Sequence, residues 1–116
     1  MILLITFFVG SLNAQTYISG NDLYTYMVQW EKWDAGIRDK NNADPISVGY
    51  FGGYIAGVYD AIHNYYVLPE GVPLKQLCKI GARFLKNHPE LLHYVASELI
   101  DVALVEAFPL PDMKQD

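Results

Sequence analysis

From Leu23 onward, apolar residues recur at helical spacing and are interrupted only by polar, glycine or proline clusters. Leu23, Tyr26, Met27, Trp30 and Trp33 lie three and four residues apart, the spacing that lines one face of a 3.6-residue helix. Ser19-Gly-Asn-Asp22 supplies short polar side chains that cap free amides, so the pattern predicts a helix from about Asn21 to Ala35. Gly36 to Ala43, containing Asn41-Asn42, reads as a loop. Asp44-Pro45 restarts the chain: Asp44 caps, and Pro45 fits the first turn, where its missing N–H does no harm. This second helix is predicted to continue to about Asn64. Tyr65-Tyr66-Val-Leu-Pro69-Glu-Gly-Val-Pro73 breaks the periodicity with two prolines and a glycine and predicts an extended connection.

Pro73 opens a third helix with Leu74, Leu77, Cys78, Gly81, Phe84 and Leu85 on one face and Lys75, Lys79, Arg83 and Lys86 on the other. Asn87-His88-Pro89-Glu90 is a short break. A fourth helix follows, its expected buried stripe being Leu92, Val95, Leu99, Val102 and Ala103, and it stops near Phe108-Pro109-Leu-Pro111. With no strand alternation and no repeat, the expected fold is all-α, a compact bundle of about four to five helices in one domain over residues 15–111, with a frayed tail at 112–116. Helices three and four, joined by a short link, are expected to be antiparallel neighbours, with Tyr94, Glu98 and Asp101 facing the basic edge of helix three.

Glycines mark the second helix. Gly49, Gly53 and Gly57 recur every four residues, and with Gly52 they forfeit roughly 3–4 kcal/mol of helix propensity relative to alanine. The usual compensation is close approach of another backbone along the bare ridge, so this helix is expected to be a packing centre, within the core or against a second copy.

Residues 1–14 are apolar, too few to span a bilayer, and end in small residues, which predicts a secretory signal peptide cleaved after Ala14. About a hundred residues then remain, enough for a single core. Apolar residues make up 52% of the chain and aromatics 14%, which excludes disorder for most of it. One cysteine, Cys78, excludes an intrachain disulfide.

Eight basic and thirteen acidic residues give a net charge of −5, which disfavours nucleic-acid binding. Four of the bases fall within residues 73–87, a stretch without acids. Elsewhere four bases face thirteen acids, a surface suited to a basic partner.

Catalysis requires a nucleophile, a base and an orienting group in one pocket. The candidates are Cys78, His63, His88, His93 and Asp60, but Cys78 lies on the apolar face of helix three and reads as a buried, inert thiol. Asp60-Ala-Ile-His63 and His88-Pro-Glu90-Leu-Leu-His93 have metal-compatible spacing. Helix-terminus roles account for them equally well: Glu90 suits the positive end of a helix, His88 can cap it, and His63 suits the C-terminal end of helix two. No metal, cofactor or catalytic residue is therefore expected. Binding chemistry has better candidates. The connection at 65–73 carries Tyr65, Tyr66 and Glu70 on a stiff, proline-bracketed loop suited to insertion into a partner's cleft, since little entropy is lost on binding. Glu31, Asp34 and Asp39 near helix one form a second candidate surface.

In order along the chain, Ser19-Gly-Asn-Asp-Leu23, Gly53-Tyr-Ile-Ala-Gly-Val-Tyr-Asp60-Ala, Leu68-Pro-Glu-Gly-Val-Pro-Leu-Lys-Gln76-Leu, Phe84-Leu-Lys-Asn-His-Pro89-Glu and Ala103-Leu-Val-Glu-Ala-Phe-Pro109 form a recognisable set. Together they resemble the Rap/Tai family of immunity proteins of bacterial type VI secretion systems. The resemblance implies a small helical periplasmic protein, not an enzyme, that binds and blocks a secreted peptidoglycan amidase toxin, often as a homodimer. It implies no contact with a membrane once the leader is removed. Many members carry disulfide-forming cysteines where this chain has Met27, Phe51, Leu68 and Leu110. Since a disulfide contributes about 2–5 kcal/mol in a domain this small, packing must replace it here, and Phe51 and Leu68 are expected to be buried. Two other readings stay open: a periplasmic chaperone of the acid-stress type that exposes apolar surface when its carboxylates protonate, and a small hydrolase dependent on Cys78.

Overall fold

Ser19 and Asp22 form a reciprocal cap: the Asp22 N–H donates to Ser19 Oγ at 3.1 Å, and the Ser19 N–H donates to Asp22 Oδ2 at 3.0 Å. They start α1, Gly20–Asp34, in a computed structural model that describes residues 17–36 and 43–110. α2 spans Pro45–Tyr66, α3 Leu74–Asn87 and α4 Ala96–Ala107, with a single 3-10 turn at Pro89–Leu91 before α4. Among the described residues the protein is an all-α bundle of four helices. Asp44 caps α2 as expected, its Oδ2 accepting both the Ser47 N–H at 3.2 Å and the Ser47 hydroxyl at 2.7 Å. These bonds hold its carboxyl below the usual range. The expected signal peptide, Asp39 and the tail from Asp112 lie outside the described residues.

α1 lies most extensively against α2, and α3 packs on both α2 and α4. Leu23, Met27 and Trp30 from α1 meet Phe51 and Ile55 from α2, Cys78 and Leu85 from α3, and Ile100 and Leu104 from α4 in one buried cluster. Trp30 and Phe51 pack with ring centroids 5.7 Å apart, and Tyr26 stacks on Tyr50 at 4.6 Å. Of the positions where relatives are expected to carry cysteines, Met27, Phe51 and Leu68 are all buried and Leu110 is partly exposed. Apolar packing thus occupies Met27, Phe51 and Leu68.

The glycines of α2 do not pack as expected. A Cβ added at Gly49, Gly53 or Gly57 would meet nothing within 4 Å, so their ridge faces outward, and α2 buries Phe51, Gly52 and Ile55 instead. Close approach occurs at two other glycines. A Cβ on Gly81 of α3 would lie 2.9 Å from Ile55 Cδ1, and one on Gly20 would lie 2.6 Å from both the Leu92 carbonyl oxygen and Leu99 Cδ1. Gly81 lets α3 press on α2 and α4; Gly20 lets the start of α1 press on the approach to α4.

The Gly20 contact explains a second departure. Leu92 and Val95 are not helical, because residues 92–96 pair with the segment entering α1. The Gly20 N–H donates to the Tyr94 carbonyl at 2.9 Å, the Asn21 N–H to the Leu92 carbonyl at 2.8 Å, and the Ala96 N–H to the Ile18 carbonyl at 3.0 Å. Ser19 and Val95 form a single antiparallel bridge. This tertiary pairing outcompetes continuation of the helix, which begins only at Ala96 and buries Leu99, Ile100, Ala103 and Leu104, leaving Val102 45% exposed.

Candidate functional site

The connection between α2 and α3 is anchored at its base and exposed at its tip. α2 runs two residues further than periodicity suggested, so Tyr65 and Tyr66 form its last turn rather than the start of an extended connection. Val67 then reverses the chain in the left-handed region, φ 52° and ψ 51°, and the Leu68 N–H returns to the His63 carbonyl at 3.3 Å. The reversal puts Leu68 into the core at 3% exposure. Tyr59 Oη donates to the Pro69 carbonyl, tying the outgoing strand back to α2. Gly71 adopts φ 78°, a turn that favours glycine, and Pro73 leads into α3.

Above this base Tyr65 is 83% exposed and the Glu70 side chain 86%, while Tyr66 is half-buried. Glu70 Oε2 lies 4.0 Å from His63 Nε2, and the His63 ring packs edge-on to Tyr59 with centroids 5.2 Å apart. Tyr59, Asp60, Asn64 and Gly71 complete a shallow polar hollow of about 440 Å³ beneath the loop. Val67, which the sequence does not single out, stands beside them. It is 73% exposed, and it is the only non-glycine residue with positive φ among those described. A β-branched residue in that conformation carries about 1–2 kcal/mol of backbone strain. Glycine or asparagine normally marks such a turn, so a valine gives no sequence signal.

The second candidate surface is committed inside the fold. Glu31 Oε2 pairs with Lys86 Nζ at 2.7 Å, and Asp34 Oδ1 with Lys75 Nζ at 3.3 Å. The basic edge of α3 is thus matched to α1, whereas Tyr94, Glu98 and Asp101 of α4 had been expected to face it. Exposed pairs of this kind contribute at most about 1 kcal/mol each. They fix which faces of α1 and α3 meet.

Between α1, α2 and α3 lies a groove of about 390 Å³, walled by Trp33 and Leu74 and floored by Gly49, Gly52 and Cys78, with the Asp34–Lys75 pair at its edge. Burial, with a smaller contribution from Asp34, pushes the Cys78 thiol up to about 12, so at neutral pH it is a thiol and not a thiolate nucleophile. The three histidines are dispersed. His88 stacks on Phe84 at 4.1 Å with its Nδ1 2.9 Å from the Phe84 carbonyl oxygen, so it closes α3 rather than capping the next turn. His93 packs against Tyr94. Among the described residues no group of three or more His, Cys, Asp or Glu side chains is placed to hold a metal ion, and no helix is long and apolar enough to cross a membrane.

The family of Rap1a immunity proteins matches residues 19–110, from the cap of α1 to beyond the end of α4. The chain belongs to that family. No curated protein and no solved structure matches it. As a Rap1a immunity protein it acts against a secreted effector by binding it, and the proteins of this family are inhibitors rather than enzymes. Tyr65 and Glu70, on the braced connection between α2 and α3, are both largely exposed.

Proposed function

We propose that this protein inhibits a type VI secreted peptidoglycan amidase in the periplasm, protecting the cell that makes it, and that it does so by seating the Tyr65–Gly71 loop in the amidase's substrate cleft. The observation that carries the reading is the combination of an exposed tip with a base fixed by Leu68, the Tyr59–Pro69 hydrogen bond and two prolines. A segment already held in one conformation loses little entropy on binding. Tyr65 offers a large aromatic face, Tyr66 supports it from the last turn of α2, and Glu70 offers a carboxylate to a basic group in the partner. The acidic excess outside α3 speeds encounter with a basic amidase. Two copies are proposed to associate through the outward Gly49–Gly53–Gly57 ridge, where the absence of side chains lets a second surface approach closely.

The test mixes the purified protein with the amidase encoded beside its gene and follows peptidoglycan cleavage and complex formation. Stoichiometric inhibition is expected, and Tyr65→Ala combined with Glu70→Lys should weaken binding by about 10- to 100-fold. Failure of the unaltered protein to bind would overturn the reading of the partner. Undiminished inhibition by the double variant would overturn the assignment of the loop.

A further inference from the structure

We infer that Val67 is a specificity-determining contact of the loop, an apolar knob held in an unfavourable backbone conformation so that it can enter an apolar pit in the partner. The inference rests on the reading of the loop given above, and it goes further by naming the residue and the chemistry of the surface that receives it.

At Val67 residue and conformation are mismatched. The left-handed turn at Val67 is needed by the fold, because it returns the Leu68 N–H to the His63 carbonyl and buries Leu68 directly after α2. Glycine would make that turn without strain, and asparagine with little. A β-branched side chain is among the least suited to it. Such a residue is ordinarily retained when its side chain packs, yet 73% of Val67 is in solvent and it is not among the residues packed on the core. The isopropyl group thus disfavours the native backbone and adds nothing to the core.

Strain uncompensated within a fold concentrates at sites of binding. Val67 also sits where contact is made most readily: Tyr65, Val67 and Glu70 are exposed within six residues, with Leu68 and Pro69 between them fixed from below. An aromatic, a branched aliphatic and a carboxylate therefore project from one rigid base. The matching surface is a cleft with an apolar pit sized for an isopropyl group, an aromatic-compatible wall for Tyr65 and a basic group for Glu70. A purely polar surface would leave Val67 and Tyr65 unmatched.

The test compares the unaltered protein with Val67→Ala, Val67→Gly and Val67→Asn, reading the thermal midpoint of each alone and its affinity for the amidase encoded beside the gene. Val67→Gly and Val67→Asn should melt at or above the unaltered protein, by up to about 4–8 °C, while binding about 10-fold or more weaker. Val67→Ala, which keeps a Cβ in the turn and loses only the methyl groups, should also bind several-fold weaker, separating lost contact from loosened backbone. A lower midpoint for Val67→Asn, which tolerates the left-handed turn without glycine's added freedom in the unfolded chain, would show that the isopropyl group supports the fold and would overturn the inference. Equal affinities across the series would overturn it as well, while leaving the inhibitor reading intact. If the unaltered protein itself fails to bind this amidase, that reading falls, and the inference falls with it.

Discussion

Phe51→Ala is expected to destabilise the domain by about 3–5 kcal/mol, the range for removing a fully buried aromatic ring. Phe51 is wholly inaccessible and stands where α1 and α2 meet, its ring 5.7 Å from that of Trp30. Its removal loses both apolar burial and the contacts of the cavity lining, and the neighbours are helix-bound residues with little room to close the gap. Domains of this size are stable by about 5–15 kcal/mol, so a large share would go. Thermal denaturation should show a fall in midpoint of more than about 10 °C. A shift of a degree or two would mean that α1 and α2 are not joined through this ring.

Gly20→Ala is the second large effect, with about 2–4 kcal/mol of destabilisation expected. The new methyl would lie 2.6 Å from the Leu92 carbonyl oxygen and 2.8 Å from Leu92 Cα, which are backbone atoms and cannot rotate away. Moving them would also disturb the Gly20–Tyr94 and Asn21–Leu92 hydrogen bonds, each contributing about 1 kcal/mol. Gly53→Ala serves as the opposite case: its methyl meets nothing within 4 Å, so helix propensity should raise stability by about 1 kcal/mol. Urea denaturation of dilute protein measures both, with association removed as a contribution. Equal effects at the two positions would contradict the assignment of Gly20 as the tight contact and the ridge as free surface.

These two glycines show what was legible in the sequence and what was not. Local signals were reliable: Ser19 with Asp22, and Asp44 with Pro45, started helices where their chemistry indicated. Most of the apolar face of α3, from Leu77 to Leu85, was read correctly because the basic residues recur on the opposite side, whereas Leu74 is 45% exposed and Ile80 and Ala82 are buried besides. The ridge of α2 misled, because spacing reveals that three glycines share a face but not whether another backbone lies against it. Gly20 carried the close approach instead, and inside a capping sequence it looked like an ordinary helix start. The late beginning of α4 was hidden for the same reason: the backbone pairing of residues 18–21 with 92–96 joins segments more than seventy residues apart.

The candidate site divides similarly. Glu70 stands out in the sequence because Pro69 and Gly71 flank it and Tyr65 because it precedes this proline-rich stretch, and both side chains are exposed. Glu31 and Asp34 are acids at helical spacing, a pattern blind to the lysines of α3 that neutralise them. Val67 left no trace, since its left-handed conformation depends on burying Leu68 and not on any turn-forming residue of its own.

The central claim is that this protein works by covering another molecule with a braced loop. Hydrogen exchange of the backbone amides, measured with and without the proposed amidase partner, tests it most directly. Slower exchange centred on residues 65–71 in the complex is the predicted result. An unchanged loop, with protection confined to the groove between Trp33 and Gly49, would contradict it.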